Sequence, residues 1–175
     1  MMETTIHIPT LRTEHFTMRA PKRSDMEAYN AFRTSERAKG VGGPFPANQT
    51  HDKFCALVGH WHVEGFGRWI VADEEDAPLG VVGILNPHGW PEPEIGWSVF
   101  EHAEGKSVAY EAAVATRAYA YDVLGWRTII SCVMPDNARS VALAKRLGAT
   151  FEGIVEHAEH GPLHIWRHLP PEALQ

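Results

Sequence analysis

Glu94-Ile95-Gly96-Trp97-Ser98-Val99, followed by Glu104-Gly105-Lys106-Ser107-Val108-Ala109-Tyr110-Glu111-Ala112-Ala113, reads as a strand, a short turn and the opening of a helix. Pro135-Asp136-Asn137-Ala138-Arg139-Ser140, running into Leu147-Gly148-Ala149, repeats the arrangement further along. Each turn leaves backbone N–H groups unpaired at a helix N-terminus, where the peptide dipoles present positive charge. Anionic ligands use such donors. Two of them in one chain point to a phosphate-bearing cofactor laid across one sheet.

Outward from these cassettes the pattern is that of an α+β domain. Leu11 to Arg19 alternates as a strand, and Ser24 or Asp25 caps a helix carrying Met26, Tyr29 and Phe32. Residues 40–46 hold three glycines and two prolines and form a loop. A second helix is expected over 50–63, with Phe54, Leu57, Val58 and Trp61 on one face. Three consecutive strands follow, over 67–72, 79–85 and 94–100, with a Pro-rich loop at 86–93. The clearest helix covers 105–124, where Val108, Ala112, Ala115, Tyr119 and Val123 make an apolar stripe. A β-branched strand over 128–134, a short helix over 137–147 and a hairpin of strands over 151–156 and 163–168 complete the chain. Seven strands are expected, in a mixed, mostly antiparallel sheet flanked by helices. Its one parallel neighbour is reached through a helical crossover.

The bulk numbers set bounds. At 175 residues the chain is read as one domain, 1–175. Its 44% hydrophobic and 22% charged residues are ordinary globular composition. A net charge of −6 and a pI near 6.0 argue against nucleic-acid binding, which needs a basic face, and suit a cationic ligand such as an amine. Met1-Met2-Glu3-Thr4 lacks the basic start and apolar run of a leader, and no segment has the apolar length of a membrane span. With two cysteines, Cys55 and Cys132, read as buried thiols, the expectation is a cytoplasmic protein that touches no membrane.

Several ordered motifs resemble the GNAT acetyltransferases, and within them the RimJ/RimL-like branch. They are Leu11-Arg12-Thr13-Glu14 with Met18-Arg19, Gly80-Val81-Val82-Gly83, Glu94-Ile95-Gly96-Trp97, Tyr110-Glu111-Ala112, Asn137-Ala138-Arg139-Ser140 and Arg146-Leu147-Gly148-Ala149. The resemblance implies a sheet splayed between the fourth and fifth strands, with acetyl-CoA threading the gap as cosubstrate. Its pantetheine arm would pair with the backbone over Trp97, Ser98, Val99 and Phe100. Its pyrophosphate would rest on the loop Glu104, Gly105, Lys106, Ser107, Val108 and Ala109, with Asn137 and Arg139 of the short helix also in reach. In that loop the family places Gln or Arg where this chain has Glu104, and glycine where it has Ser107. If Ser107 must take positive φ its Cβ is unwelcome. The negative charge of Glu104 lies beside the expected phosphates, and Lys106 is the nearby cation that would offset it. Gly105-Lys106-Ser107 is no P-loop, because Phe100 stands where that motif needs its first glycine.

Acyl transfer from a thioester to an amine needs a base, an oxyanion donor and an acid for the departing thiolate. Glu94 is the expected base, with a solvated strand-end carboxylate as its bland alternative. The backbone N–H near Val99 would meet the oxyanion. The tyrosine that many of these enzymes use as acid falls at Ala144; the resemblance to the Rim-like branch implies a serine on this helix, Ser140, in that role, and otherwise Ser140 only bonds the backbone of its helical turn. Trp90 and Glu92 would line the acceptor pocket, with residues 41–46 opposite. The resemblance implies a small-molecule or peptide amine as acceptor and leaves room for a homodimer. The histidines His60, His62, His157, His160, His164 and His168 lack a completing Cys or carboxylate set, so no metal is expected. Cys132 reads as a core thiol rather than a nucleophile. The competing reading is a non-catalytic scaffold of the same fold that binds CoA or another metabolite, favoured by Glu104 and Ser107.

Overall fold

The densest apolar and β-branched runs, Arg68–Ala72 and Pro78–Leu85, become the middle of the sheet, where both faces are covered. The computed structural model describes residues 5–174. Met1-Met2-Glu3-Thr4, on which the expectation about a leader rested, lies outside them. The elements are β1 (Leu11–Arg12), β2 (Thr17–Arg19), α1 (Met26–Thr34), α2 (Ala47–Glu64), β3 (Arg68–Ala72), β4 (Pro78–Leu85), β5 (Glu94–Val99), α3 (Val108–Asp122), β6 (Ile130–Val133), α4 (Ala138–Arg146), β7 (Thr150–His157) and β8 (Gly161–Arg167). They form one open eight-stranded sheet in the order β1-β2-β3-β4-β5-β6-β8-β7. Every neighbouring pair is antiparallel except β5 and β6.

The eighth strand comes from the first expected one, which is broken in two. The Glu111 carboxylate of α3 accepts the Thr13 hydroxyl at 2.8 Å and the His15 N–H at 3.2 Å. A turn closed by Thr13 N–H on the Phe16 carbonyl then separates β1 from β2. The splay expected between strands four and five therefore lies between β5 and β6.

Period-two alternation sorts the core onto two faces. Trp69 and Val71 of β3, Val82 and Ile84 of β4 and Ile95 of β5 pack on Val108, Ala112, Ala113 and Ala120 of α3. The fully buried Trp69 satisfies its indole N–H on the Pro9 carbonyl at 2.7 Å. On the opposite face Ile70, Val81 and Phe100 pack on Tyr29 and Phe32 of α1 and Phe54 and Leu57 of α2. Each large apolar side chain so buried contributes roughly 1.5–3 kcal/mol. Two expectations need correction. Val123 is exposed, because α3 ends at Asp122 and the stripe leaves the core there. Cys55 is exposed too, because it follows Phe54 and so points away from the stripe of Thr50, Phe54, Leu57 and Trp61. Cys132 is half-buried, and both thiols are free.

The parting of β5 from β6 is built by side chains. Their ladder has a single register pair, Glu94 with Ile130. Immediately beyond it the Ser131 hydroxyl donates to the Ile95 carbonyl at 2.7 Å, and the Cys132 N–H donates to the Glu94 carboxylate at 2.5 Å. Having given its one proton to Ile95, the Ser131 oxygen accepts from His168 Nε2 at 2.9 Å. Burial pushes His168 down to about 3, so the ring is neutral. These bonds satisfy backbone groups that a continuing ladder would have used, and the strands diverge above them.

Candidate active site

A groove of about 220 Å³ occupies the divergence. Trp97, Ser98 and Val99 of β5 form one wall, Asn137, Arg139 and Ser140 of α4 the other, and Arg37 and Gly40 from the α1–α2 connection close it. β5 has no strand partner on this side past its first residue, so its edge is open to an extended ligand. A larger hollow of about 460 Å³ lies by the β1–β2 turn, lined by polar side chains such as Glu14, Asp73 and Glu74. It is remote from the splay.

α4 starts at the groove because Asn137 caps it, its side-chain oxygen accepting the Ser140 N–H at 3.1 Å. The Asn137 amide also sits on Gly40, where a Cβ would come within 2.5 Å of Nδ2, so a side chain there would displace the Asn137 amide. The Ser140 hydroxyl accepts from the Trp97 indole at 3.1 Å. Its own proton is left without an acceptor among the described residues, and it can be given to a ligand atom in the groove.

Glu94 stands at the floor of the splay, only 5% exposed. It is not the solvated strand-end carboxylate of the bland alternative. One oxygen accepts the Trp90 indole N–H at 2.8 Å and the other the Cys132 N–H. Burial pushes its pKa up to about 7, against the pull of those two donors and of Arg68. Each oxygen keeps a second lone pair, so the oriented carboxylate is equipped to take a proton near neutral pH. The neighbouring Cys132 thiol is pushed up by burial and by Glu94, and stays protonated.

Trp90 packs edge-on against His157 at 4.6 Å and His160 at 5.3 Å between ring centroids. With His160 closing on Gly42 these rings make an aromatic wall beside Glu94. Glu92, expected beside Trp90 in the pocket, is held instead by both terminal nitrogens of Arg167 at 2.7 Å. Arg167 also grips Glu152, so Glu92 fastens the start of β5 to β8 and β7.

The turn before α3 has the feature that its serine made unwelcome. Ser107 is the N-cap of α3 at φ 62°, in the left-handed region, with no capping bond from its side chain. Replacing it with glycine relieves a strain of roughly 1–2 kcal/mol at some cost in chain entropy. Ser107→Gly is expected to raise stability by about 0.5–1 kcal/mol in a urea titration. A loss of stability would show that the hydroxyl does unrecognised bonding. Glu104 is offset, but not by Lys106. Its carboxylate accepts from Arg37 at 2.6 Å and pairs with Arg139, and the Arg37 bond is the main cause that holds its pKa below the usual carboxylate range. Arg37 lies 67 residues away in sequence, with no local signal to link it to Glu104.

A sequence model of the acetyltransferase (GNAT) domain matches residues 15–150. The chain belongs to the GNAT acetyltransferase family. The crystal structure of an acetyltransferase from Agrobacterium tumefaciens superposes with a TM-score of 0.85 at 36% identity, over 96% of this chain and 98% of that one. The ribosomal L7/L12 α-N-protein acetyltransferase RimL, solved in complex with coenzyme A, superposes at 0.72 with 16% identity, over 92% and 98% of the two chains. The uncharacterized N-acetyltransferase YnaD of Bacillus subtilis is 29% identical over 84 residues, 48% of this chain and 49% of that protein. The chain thus matches about half the length of this curated relative. Among the described residues no group of three or more His, Cys, Asp or Glu side chains is placed to hold a metal, and no helix is long and apolar enough to cross a membrane.

Proposed function

We propose that this GNAT-family chain transfers an acetyl group from acetyl-CoA to a primary amine, on a small molecule or a peptide, by direct attack. The observation that carries the reading is the splay itself: the buried, doubly anchored Glu94 stands at the last register pair of β5 and β6, and Ser140 lines the groove that opens beyond it. Bound acetyl-CoA supplies an activated thioester. The open edge of β5 at Trp97, Ser98, Val99 and Phe100 would hold its pantetheine amides. Its phosphates would meet the backbone N–H groups of residues 104–109 and the guanidinium groups of Arg37 and Arg139. That RimL was solved with coenzyme A supports the fit at the level of the fold. RimJ/RimL-like character rests on the sequence motifs.

The residues then divide the chemistry. Glu94 removes a proton from the incoming ammonium, directly or through one water. As nitrogen bonds to the acyl carbon, the backbone N–H near Val99 meets the oxyanion. When the carbon–sulfur bond breaks, the Ser140 hydroxyl gives its proton to sulfur and is restored by the second proton that the nitrogen sheds as it becomes an amide. Glu94 ends protonated, at a pKa near 7 that lets it return the proton to solvent.

Two experiments test this. Acetyl-CoA at a hundred times its Kd is expected to stabilise the protein by about 2.7 kcal/mol, read as a rise in Tm. An amine and peptide panel with thiol-release detection is expected to show turnover. No Tm rise at millimolar acetyl-CoA would overturn the cofactor. A rise with no turnover across the panel would favour the metabolite-binding scaffold, which the carboxylate of Glu104 on both phosphate-side arginines also favours.

A further inference from the structure

Most arginines of the described residues that lie in or under the sheet are matched with a carboxylate or a carbonyl. Arg19 holds Asp25 and Asp76, Arg37 and Arg139 share Glu104, Arg167 holds Glu92 and Glu152, and Arg117 donates to the Leu147 carbonyl. Arg33 and Arg68 are not. Neither has an ion pair or a side-chain hydrogen bond among the described residues, and Arg33 Nε is a buried donor with no partner. Burial pushes both guanidinium groups down, and Arg68 adds like-charge repulsion to Arg33.

Their placement is specific. Arg68 opens β3 on the face that carries Ile70, the face covered by α1 and α2. Its register neighbour on β4 is Gly83, whose neighbour on β5 is Gly96. A Cβ on Gly83 would come within 2.5 Å of the Arg68 Cα. The row from Arg68 to β5 therefore carries no side chain of its own beyond Arg68, the Leu85 side chain lies over its Gly96 end, and Glu94 is two residues from that end on the same face. Above it Arg33 of α1 lies 3.6 Å over the ring of Phe45, in the 41–46 loop, and 5.9 Å from that of Tyr29. Against the burial of Arg68, Tyr29 and Glu94 favour its charged form. Unpaired, poorly solvated cations cost stability, and a protein retains them where a ligand completes them.

We propose, resting on the acetyl-transfer reading, that Arg68 and Arg33 form an anion-reading wall of the acceptor pocket, so that the preferred acceptor is an amine that also carries a carboxylate or a phosphate. Glu94 takes the proton from the amine at one end of this row, and the guanidinium groups hold the oxyanion at the other. Polyamines, which bring only positive charge, are disfavoured by the same wall.

The test compares matched amines on the full-length protein: L-phenylalanine with L-phenylalaninamide, L-methionine with L-methioninamide, and phosphoethanolamine with ethanolamine. In at least one pair the anionic member is expected to have kcat/KM at least about tenfold higher. The first two pairs report a carboxylate and the third a phosphate. Arg68→Met is expected to abolish that preference, the anionic member losing at least about tenfold more kcat/KM than its uncharged partner, and to leave Tm unchanged or higher. Arg33→Met is the second variant should Arg68→Met fail to fold. Uncharged or cationic amines accepted as well as anionic ones would overturn the proposal. So would an Arg68→Met that slows both members of a pair equally, the result expected if Arg68 only balances the charge of Glu94. If CoA binds but no amine in the panel is acetylated, inorganic phosphate is added to the CoA-saturated protein. A Tm rise in the wild type that Arg68→Met lacks supports the wall, and equal responses overturn it. If CoA does not bind, the acetyl-transfer reading fails separately, and the same phosphate comparison without CoA still reads Arg68.

Discussion

Glu94→Gln is expected to lower kcat/KM by about a hundredfold or more and to remove the acidic limb of its pH profile. In the wild type that limb should bend near pH 7, where burial has placed the carboxyl. Activity rises as pH climbs through this value because only the ionised form accepts a proton. The variant's residual rate should follow the protonation of the amine alone. Stability should run the opposite way. A carboxyl whose pKa is higher folded than unfolded binds more protons in the native state, so its contribution is full below the ordinary carboxylate range and is lost as pH rises towards 7. His168, held neutral by burial, works in the other direction and destabilises the fold as pH falls below its unfolded value. Denaturant titrations of wild type and Glu94→Asp across pH 5 to 8 separate the two, since only the carboxylate's environment differs. A wild-type profile flat from pH 6 to 9 would take Glu94 out of the base role. An unaltered kcat/KM in a folded Glu94→Gln would do the same.

How much of this site could be read from residues alone depended on how far apart its partners lie in the chain. The helix start at Asn137 was legible, and that of α3 was read at 105 rather than at its N-cap Ser107, because caps, glycines and apolar periods are local signals. The splay was legible only through the order of motifs, and its cause was not. Ser131, Cys132, His168 and Glu94 each look ordinary in sequence, and they form one set of bonds only once β5, β6 and the end of β8 are side by side. Leu11 to Arg19 alternates as one strand because its pattern carries no trace of Glu111, the side chain that breaks it. Trp90 could be proposed from sequence as an acceptor-pocket residue, but its neighbours His157 and His160 looked like scattered histidines. Glu92 was proposed beside it because the two are near in sequence. Its ion pair with Arg167, from the far end of the chain, gave no local signal. Arg68 and Arg33 gave no signal, since what distinguishes them is the absence of a partner, which sequence cannot display.

Glu104 gives the second large effect, through competition for the same cations. Its carboxylate occupies Arg37 and Arg139 at the mouth of the groove, where the family places Gln or Arg and where incoming phosphates would seek positive charge. In the proposed complex CoA exchanges this carboxylate for phosphate. The exchange is nearly neutral for the arginines but leaves Glu104 unpaired beside new negative charge. Both pairs are open to solvent and therefore weak. Glu104→Gln is therefore expected to tighten CoA by about tenfold at low ionic strength, measured by calorimetry. The gain should shrink in 0.5 M salt as the exposed charges are screened. Removing both arginines should weaken CoA by about ten- to a hundredfold, while pantetheine, which lacks the phosphates, should respond to neither change. If Glu104→Gln instead weakens CoA, the carboxylate organises the two guanidinium groups for phosphate rather than competing with it. Arg37 and Arg139 would then be held in place by the residue that departs from the family pattern.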